Sequence, residues 1–181
     1  MAQRVNIGSG STRTEGWIHA DIKHGDIYLD ATQKLPFETD SIDAIFHEHF
    51  LEHLGYPGEA NYFIDESYRV LVPGGVMRIG VPDTEYAIRK YVEDDKSFFD
   101  LCRELWHPDY CTTPMESLNF HFRQKGQHKF AYDYKTLHKL LSTNGFTNIT
   151  RSSYKSSEYS FMNIGTRDDE GTLWVDSIKP K

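Results

Sequence analysis

Short apolar runs bounded by turn residues recur along the first half of the chain. They fall at residues 4–7, 17–22, 42–46 and 76–81. Runs of this length, mostly apolar and flanked by glycine, proline or aspartate, are typical of buried strands in a parallel sheet. The pattern therefore predicts four parallel strands before residue 82.

Apolar positions at helical spacing appear in two further places. Residues 62–71 form an amphipathic pattern that Pro73 and the two glycines after it should stop. Residues 133–143 carry three leucines on one face and end at Asn144-Gly145, a pair suited to a helix C-terminal cap. We expect a helix in each place.

Residues 146–149 and 172–178 indicate a closing pair of strands. Strands alternating with helices are typical of an α/β fold. Asp21 follows Gly10 by only 11 residues, so residues 11–16 have room for a loop or a single turn. We predict one Rossmann-like domain over residues 1–181: a doubly wound, mostly parallel sheet with an antiparallel closing strand pair and a truncated first crossover helix.

Residues 84–130 do not fit this alternation. The stretch is long, and it is rich in aromatic residues and histidines, among them Trp106, His107, His121 and His128. Long connections after a sheet strand are usually functional or disordered, and this one is too aromatic for disorder. We expect an inserted cap over the carboxyl edge of the sheet that recognises the substrate.

Composition narrows the function classes. The 181 residues carry a net charge of −7, which disfavours a nucleic-acid partner. No apolar run approaches the roughly 20 residues of a membrane span. The two cysteines, Cys102 and Cys111, make neither a metal-type pair nor a disulfide framework. Residues 1–4 lead straight into the first strand, so no signal peptide is expected. These features predict a cytoplasmic protein with no membrane or nucleic-acid partner.

The turn after the first strand carries candidate chemistry. Gly8 and Gly10 would let a ligand approach the backbone closely. The full dinucleotide fingerprint is not met, because Arg13 stands at the third glycine position and Asp21 comes well before the roughly 20 residues expected. Asp21 could accept both ribose hydroxyls, and Asp30 could accept from an adenine amino group. The alternative is a tight turn with a capping aspartate.

The order of these features resembles a known family. VNIGSG at residues 5–10, Asp21, Asp30 before LPF, DSIDAIF, LEHL and RVLVPGG follow one another over residues 4–83. This order is similar to that of the class I S-adenosylmethionine-dependent methyltransferases of the type 11 kind. Residues 134–146 are similar to the last helix and strand of that family. The family's N-terminal helix and full first crossover helix are absent from the pattern.

The resemblance implies S-adenosylmethionine as cofactor. It places Gly8, Ser9 and Gly10 along the methionine and ribose parts, Asp21 on the ribose hydroxyls, and Asp30 with Ala31 around the adenine. Phe46 and His47 would lie near the sulfonium. The cofactor-binding set implied in this way comprises Asn6, Gly8, Ser9, Gly10, Asp21, Ile22, Asp30, Ala31, Phe46 and His47.

Residues 49–53 spell H-x-x-E-H, a pattern found in zinc peptidases. A zinc site needs a third ligand that the sequence does not identify, and LEHL resembles an ordinary helix start in the methyltransferase family. Packing of His53 at a helix start is therefore the favoured interpretation, and no metal is expected.

Histidine can also act as a base towards a hydroxyl or amine acceptor. His49 from a strand end and His128 from the cap are the predicted catalytic candidates, with packing or surface roles as alternatives for each. No Asn/Asp-Pro-Pro-Tyr motif follows residues 42–46, and no Pro-Cys nucleophile is present. A small-molecule acceptor, for example a sugar or another cell-surface precursor, is preferred by elimination.

Three functions remain open at this stage. The first is methyl transfer from S-adenosylmethionine to a small molecule. The second is a non-catalytic domain of the same fold that binds cofactor or a partner. The third, a nucleotide enzyme such as an NAD-dependent dehydrogenase, is opposed by the missing third glycine. Dimerisation is undecided, because the shortened N-terminal region could leave a sheet edge or an apolar face that needs cover.

Overall fold

The computed structural model describes residues 3–168 and 170–181. Seven strands form one sheet in the order β3-β2-β1-β4-β5-β7-β6. The strands are β1 (Arg4–Ile7), β2 (Ile18–Asp21), β3 (Ile27–Tyr28), β4 (Ile42–Glu48), β5 (Leu71–Pro82), β6 (Thr147–Ser152) and β7 (Thr172–Ile178). The first five pair in parallel, and β7 pairs antiparallel with both β5 and β6. The predicted α/β fold with an antiparallel closing pair is confirmed.

Two helices follow the predicted pattern. They are α1 (Gly58–Val70) and α5 (Tyr134–Thr143), the latter capped by the Asp133 carboxylate, which accepts from the N–H of Thr136. Helix α1 ends earlier than predicted, and β5 begins at Leu71 instead of residue 76. Val72 precedes Pro73, and a residue before proline is driven from helical to extended backbone. This steric effect keeps Val72 extended, so α1 cannot continue through it.

The connection between β5 and α5 contains three helices. They are α2 (Thr84–Val92), α3 (Lys96–Leu105) and α4 (Pro114–Arg123). Helix α4 starts with a capping box, in which Thr113 and Glu116 satisfy each other's backbone N–H groups. The chain then returns past the 3₁₀ turn Leu51–His53, where the N–H of Lys129 donates to the carbonyl of Glu52 at 2.8 Å. Thus the end of this connection lies beside the carboxyl end of β4.

The two faces of the sheet are covered in different ways. On one face α1 and α5 pack against the strands, burying residues such as Ile7, Phe63 and Leu141. The opposite face carries Ala44, Phe46, Val76 and Trp174, and no crossover helix from the described residues joins this cluster. Between β1 and β2 and between β2 and β3 the described chain forms only turns and loops. The predicted truncation of the first crossover helix is thus seen in the structure.

Residues 153–167, which we call the covering segment, take the place of helices on that second face. Its apolar side chains pack against Trp17, Phe46 and Trp174; they are Tyr154, Tyr159, Phe161, Met162 and Ile164. The guanidinium of Arg4 lies 4.6 Å from the centre of the Phe161 ring. The apolar face left by the short connections is therefore covered from within the chain.

A buried ion pair fixes the start of the covering segment. Arg78 on β5 donates to Asp176 on β7 at 2.8 Å, and both side chains are at most 5% exposed. Arg78 also donates to the Ser153 carbonyl at 2.6 Å, while Asp176 accepts from the Ser157 hydroxyl at 2.7 Å. The pair therefore joins two strands to the covering segment.

None of the helices among the described residues has the length and apolar character needed to cross a membrane.

Replacing Arg78 by Met should lower the free energy of unfolding by about 3–5 kcal/mol, because it leaves Asp176 buried without its cation. Arg151→Met serves as the matched control, since Arg151 pairs with Glu85 at an exposed position and should cost less than about 1 kcal/mol. Urea titration of both variants measures the difference. Equal losses of unfolding free energy in the two variants would show that the buried pair stabilises the fold no more than the exposed pair.

Candidate active site

A cavity of about 170 Å³ lies at the carboxyl ends of β1 and β4. Three parts of the chain form its walls: the turn after β1, the end of β4 and the last residues of the covering segment. The lining residues are Asn6, Gly8, Ser9, Thr12, Thr14, Phe46, Glu48, His49, Gly165, Thr166 and Arg167. Ligand sites of open α/β sheets occupy this position.

The glycine turn is held by its contacts with Phe50. Gly8 has a φ of +67°, and a Cβ at this position would lie 2.3 Å from Cδ2 of Phe50. Only glycine fits both the backbone and the space. Gly10 has a φ of +52°, but no atom lies within 4 Å of the place where its Cβ would be. A ligand could therefore approach the backbone at Gly10.

Aromatic rings form the floor of the cavity. Phe46 stacks on Trp174 with ring centres 5.9 Å apart and meets the edge of Trp17 at 6.2 Å. These contacts hold Phe46 in one orientation beneath the cavity. Asn6, on the neighbouring strand, is 4% exposed, and its amide makes no hydrogen bond within the part of the chain that the structure describes.

Glu48 attaches the covering segment to the cavity. Its carboxylate accepts from the N–H of Thr166 at 2.9 Å, the Thr166 hydroxyl at 2.9 Å and the N–H of Arg167 at 2.6 Å. Arg167 is exposed and extends the rim beyond this anchor. The last wall of the cavity thus depends on one acidic side chain at the end of β4.

Asp21 lies beside the cavity and supports the surrounding loops. Its carboxylate accepts from the N–H groups of Lys23 at 2.7 Å, His24 at 3.0 Å and Gly10 at 3.1 Å. Burial acts to raise the pKa of Asp21, but these N–H groups outweigh it and hold the pKa below its usual range. The capping alternative is therefore realised, and the predicted ribose contact stays a prediction.

The predicted adenine-site residues also lie outside the cavity wall. One oxygen of Asp30 accepts from the N–H and the hydroxyl of Thr32, at 2.9 and 2.8 Å. The other oxygen makes no hydrogen bond to a described residue. Ala31 is buried in the core, and Ile22 is 53% exposed. Asp21 ends β2 and Asp30 follows β3, so both lie at the same sheet edge as the cavity.

His47 points away from the cavity. It is fully buried on the helix-covered face, with ring centres 5.6 Å from Phe50 and 5.4 Å from Phe63. Burial lowers the pKa of His47 to about 3, so the ring is neutral. The structure does not bring this predicted cofactor contact to the site, because successive residues of a strand face opposite sides.

The two catalytic candidates lie on different sides of Glu52. Nδ1 of His49 is 3.9 Å and Nε2 of His128 is 4.0 Å from Oε1 of Glu52. Only His49 also lines the cavity. Burial, together with the positive charge of Arg167, lowers the pKa of His49 to about 3. A neutral, weakly basic His49 is better suited to positioning an acceptor than to removing its proton.

Glu52 is the group that sequence reasoning missed. Its side chain is 2% exposed, and burial raises its pKa to about 8. Neither carboxylate oxygen has a hydrogen-bond partner among the described residues. The available signal was its place within the H-x-x-E-H pattern, which the structure does not form on a regular helix: His49 has a φ of +49° and precedes a short 3₁₀ turn.

Residues 8–79 match the model of a family described as a methyltransferase domain. The match begins at Gly8 and ends within β5, so it includes the glycine turn and the β4 wall of the cavity. The strand order agrees with it. The fold is that of the class I methyltransferases. The resemblance seen in the sequence is confirmed.

Solved structures of S-adenosylmethionine-dependent methyltransferases share this fold. One, from Thermotoga maritima and described as a possible histamine N-methyltransferase, is 17% identical with a TM-score of 0.59; the match covers 100% of this chain and 83% of that one. Another, from Archaeoglobus fulgidus, is 16% identical with a TM-score of 0.60, covering 98% and 86%.

A third similar structure is phosphoethanolamine N-methyltransferase 2 of Haemonchus contortus, in complex with S-adenosyl-L-methionine. It is 15% identical with a TM-score of 0.56, and the match covers 100% of this chain and 49% of that one. The chain therefore spans about half the length of that enzyme. No curated protein sequence matches the chain.

The residues that line the cavity can be compared with the cofactor contacts that the methyltransferase resemblance implies. Of the ten cofactor contacts implied by the resemblance, four line the cavity itself: Asn6, Gly8, Ser9 and Phe46. Thr166 and Arg167 join them from a part of the chain that no motif marked. They were missed because their position depends on the covering segment folding back across the sheet.

Replacing Glu48 by Gln should loosen this wall, because one carboxylate oxygen becomes an amide group that cannot accept from Thr166 or Arg167. We expect faster proteolytic cleavage near residues 165–168, with a stability loss of about 1–3 kcal/mol. Limited proteolysis with mass spectrometry measures the cleavage rate. Glu38→Gln, at an exposed position, is the control. An unchanged cleavage rate would mean that apolar packing alone holds the segment.

Proposed function

We propose that this protein transfers a methyl group from S-adenosylmethionine to a small-molecule acceptor. The observation that carries the proposal is the cavity at the ends of β1 and β4, which has a glycine turn on one side and a fixed aromatic floor. The methyltransferase family match and the similar solved structures support it.

The residues at this edge fit such a cofactor. The open space at Gly10 admits a ligand against the backbone, and Asn6 offers an amide not used by the described protein atoms. The second oxygen of Asp30 can accept from an amino group. At about 170 Å³ the cavity is smaller than the roughly 300–1,000 Å³ of typical small-molecule sites, so it would hold part of the cofactor. The adenosine part would extend over the loops of Asp21 and Asp30.

The bound cofactor would supply an activated methyl group on a positively charged sulfur. The task left to the protein is to align an acceptor with that group, which can contribute about 7–11 kcal/mol in favourable cases. Phe46 and His49 are suited to this task, because both line the cavity and both are held by neighbours. Nε2 of His49 lies 3.0 Å from the Thr172 hydroxyl, a contact that fixes the ring.

Two observations favour a small acceptor. The net charge of −7 disfavours the phosphate backbone of nucleic acids. Two similar structures are described as enzymes that methylate small amines, one as a possible histamine N-methyltransferase and one as a phosphoethanolamine N-methyltransferase. We include amines among the acceptors to test, beside the hydroxyl compounds suggested by the sequence.

Asp21→Ala should weaken binding of S-adenosylmethionine and of S-adenosylhomocysteine by at least about tenfold, because it removes both the ribose acceptor and the support of Gly10. Calorimetric titration of the full chain measures both ligands. Asp65→Ala, an equal charge change at an exposed position on α1, is the control.

Asp21→Asn separates the two roles of the aspartate. Its amide oxygen can still accept from backbone N–H groups but offers one acceptor fewer to a ribose. Binding restored to the wild-type level in this variant would contradict the ribose contact and leave the loop-supporting role. No binding of either ligand to the wild-type chain, with NAD as a negative control, would contradict the proposed function.

A further inference from the structure

The buried carboxylate of Glu52 is surrounded by imidazoles. Its Oε1 lies 3.9 Å from Nδ1 of His49, 3.9 Å from Nε2 of His53 and 4.0 Å from Nε2 of His128. These distances are too long for hydrogen bonds. Glu52, His53 and His128 each offer one ligand atom, and the three atoms lie within 4.8 Å of one another.

The hydrogen bonds of two histidines fix which ring nitrogen faces the centre. Nδ1 of His53 lies 3.0 Å from the carbonyl oxygen of Gln127, and Nδ1 of His128 lies 3.0 Å from that of His121. A carbonyl only accepts, so each Nδ1 carries the proton. In the neutral rings both Nε2 atoms therefore direct lone pairs at the Glu52 carboxylate.

Lone pairs that face one another in a buried site need a hydrogen-bond donor or a cation between them. Further polar atoms without partners surround the adjoining cavity of about 10 Å³. The hydroxyl of Tyr132 and Nε2 of His121 line it together with Glu52, and none of them has a hydrogen-bond partner among the described residues. Buried polar groups in native proteins are rarely left in this state without an ion or a water.

We propose that Glu52 Oε1, His53 Nε2 and His128 Nε2 bind a divalent transition-metal ion, with zinc as the representative. Two imidazoles and one carboxylate form a known three-ligand zinc set that keeps a fourth position open. In each histidine the other nitrogen donates to a backbone carbonyl, which is the usual support of a metal-bound imidazole. His49 stands 3.9 Å from the same oxygen but lies outside this three-ligand group.

Small side-chain movements suffice to form the site. Tetrahedral zinc with bonds of about 2.0–2.2 Å separates its ligand atoms by about 3.3 Å. The imidazoles therefore need to approach Glu52 by less than about 1 Å and each other by at most about 1.5 Å. The His53 side chain is 37% exposed and gives an ion access from solvent, whereas His128 is 7% exposed and fixed. The third ligand that the sequence did not identify is His128, 75 residues after His53.

His49 lies between the metal site and the cofactor cavity, but the inference does not depend on the proposed function. Binding of the ion needs only the side chains of Glu52, His53 and His128. The cofactor contacts need Gly8, Gly10, Asp21 and Asp30. Each can therefore be tested while the other fails.

The test uses the full chain stripped with a chelator and titrated with Zn²⁺ alone in a calorimeter at neutral pH. We expect one equivalent of Zn²⁺ to bind. Co²⁺ bound in its place should give a visible absorption spectrum without a thiolate charge-transfer band. The absence of that band would exclude Cys102 and Cys111 as ligands. Glu52→Gln and His53→Ala should each weaken binding by about 100-fold or more, since loss of mere supporting contacts already costs about 10–100-fold.

His138→Ala, an exposed histidine on α5, is the matched control and should leave the affinity unchanged. Because His53 is partly exposed, its variant should keep the fold, and thermal unfolding checks this. Absence of a bound equivalent in the wild type would overturn the proposal. So would a Zn²⁺ affinity that survives Glu52→Gln and His53→Ala, or one that His138→Ala lowers equally. In those cases a proton, not a metal, separates the lone pairs.

Discussion

The sheet has two apolar faces, but its crossover helices cover only one of them. This follows from the short connections between β1, β2 and β3, which leave no length for helices. The covering segment resolves the problem with five apolar side chains and a buried Arg78–Asp176 pair at its start. The same segment continues to Glu48, where its backbone completes the cavity wall. The need to cover this second face of the sheet therefore also determines the shape of the site.

Local patterns predicted the parts of the fold that local physics decides. Strands β1, β2 and β4 and helices α1 and α5 were recognised because their apolar spacing and their flanking turn residues agree. Strand β3 has two residues, too few for any periodicity. The helices between β5 and α5 were not resolved by pattern, although their caps at Asp83, Asp95 and Thr113 are clear in the structure. The covering segment has no regular period, because its partners come from distant strands.

The residues of the site likewise fall into those that local patterns predicted and those that depend on distant parts of the chain. Asn6, Gly8, Ser9, Phe46 and His49 were predicted, since they follow directly from strand ends that meet at one edge. His47 was predicted near the cofactor, but its side chain faces the opposite side of the sheet from that of Phe46 and lies in the core. Thr166 and Arg167 could not be predicted, because their place depends on a fold-back over more than 100 residues of sequence. The grouping of His128 with Glu52 likewise needs the return of the chain after α4.

Since the covering segment contributes both to the core and to the cavity, ligand affinity and local folding of that segment are thermodynamically linked. A ligand that contacts Thr166 or Arg167 would favour the docked segment and so protect Phe161 and Met162, which lie on the sheet away from the cavity. Conversely, changes in those apolar side chains would alter the fraction of molecules with a completed site. In this chain an apolar contact distant from the cavity can thus change the fraction of molecules that bind a ligand.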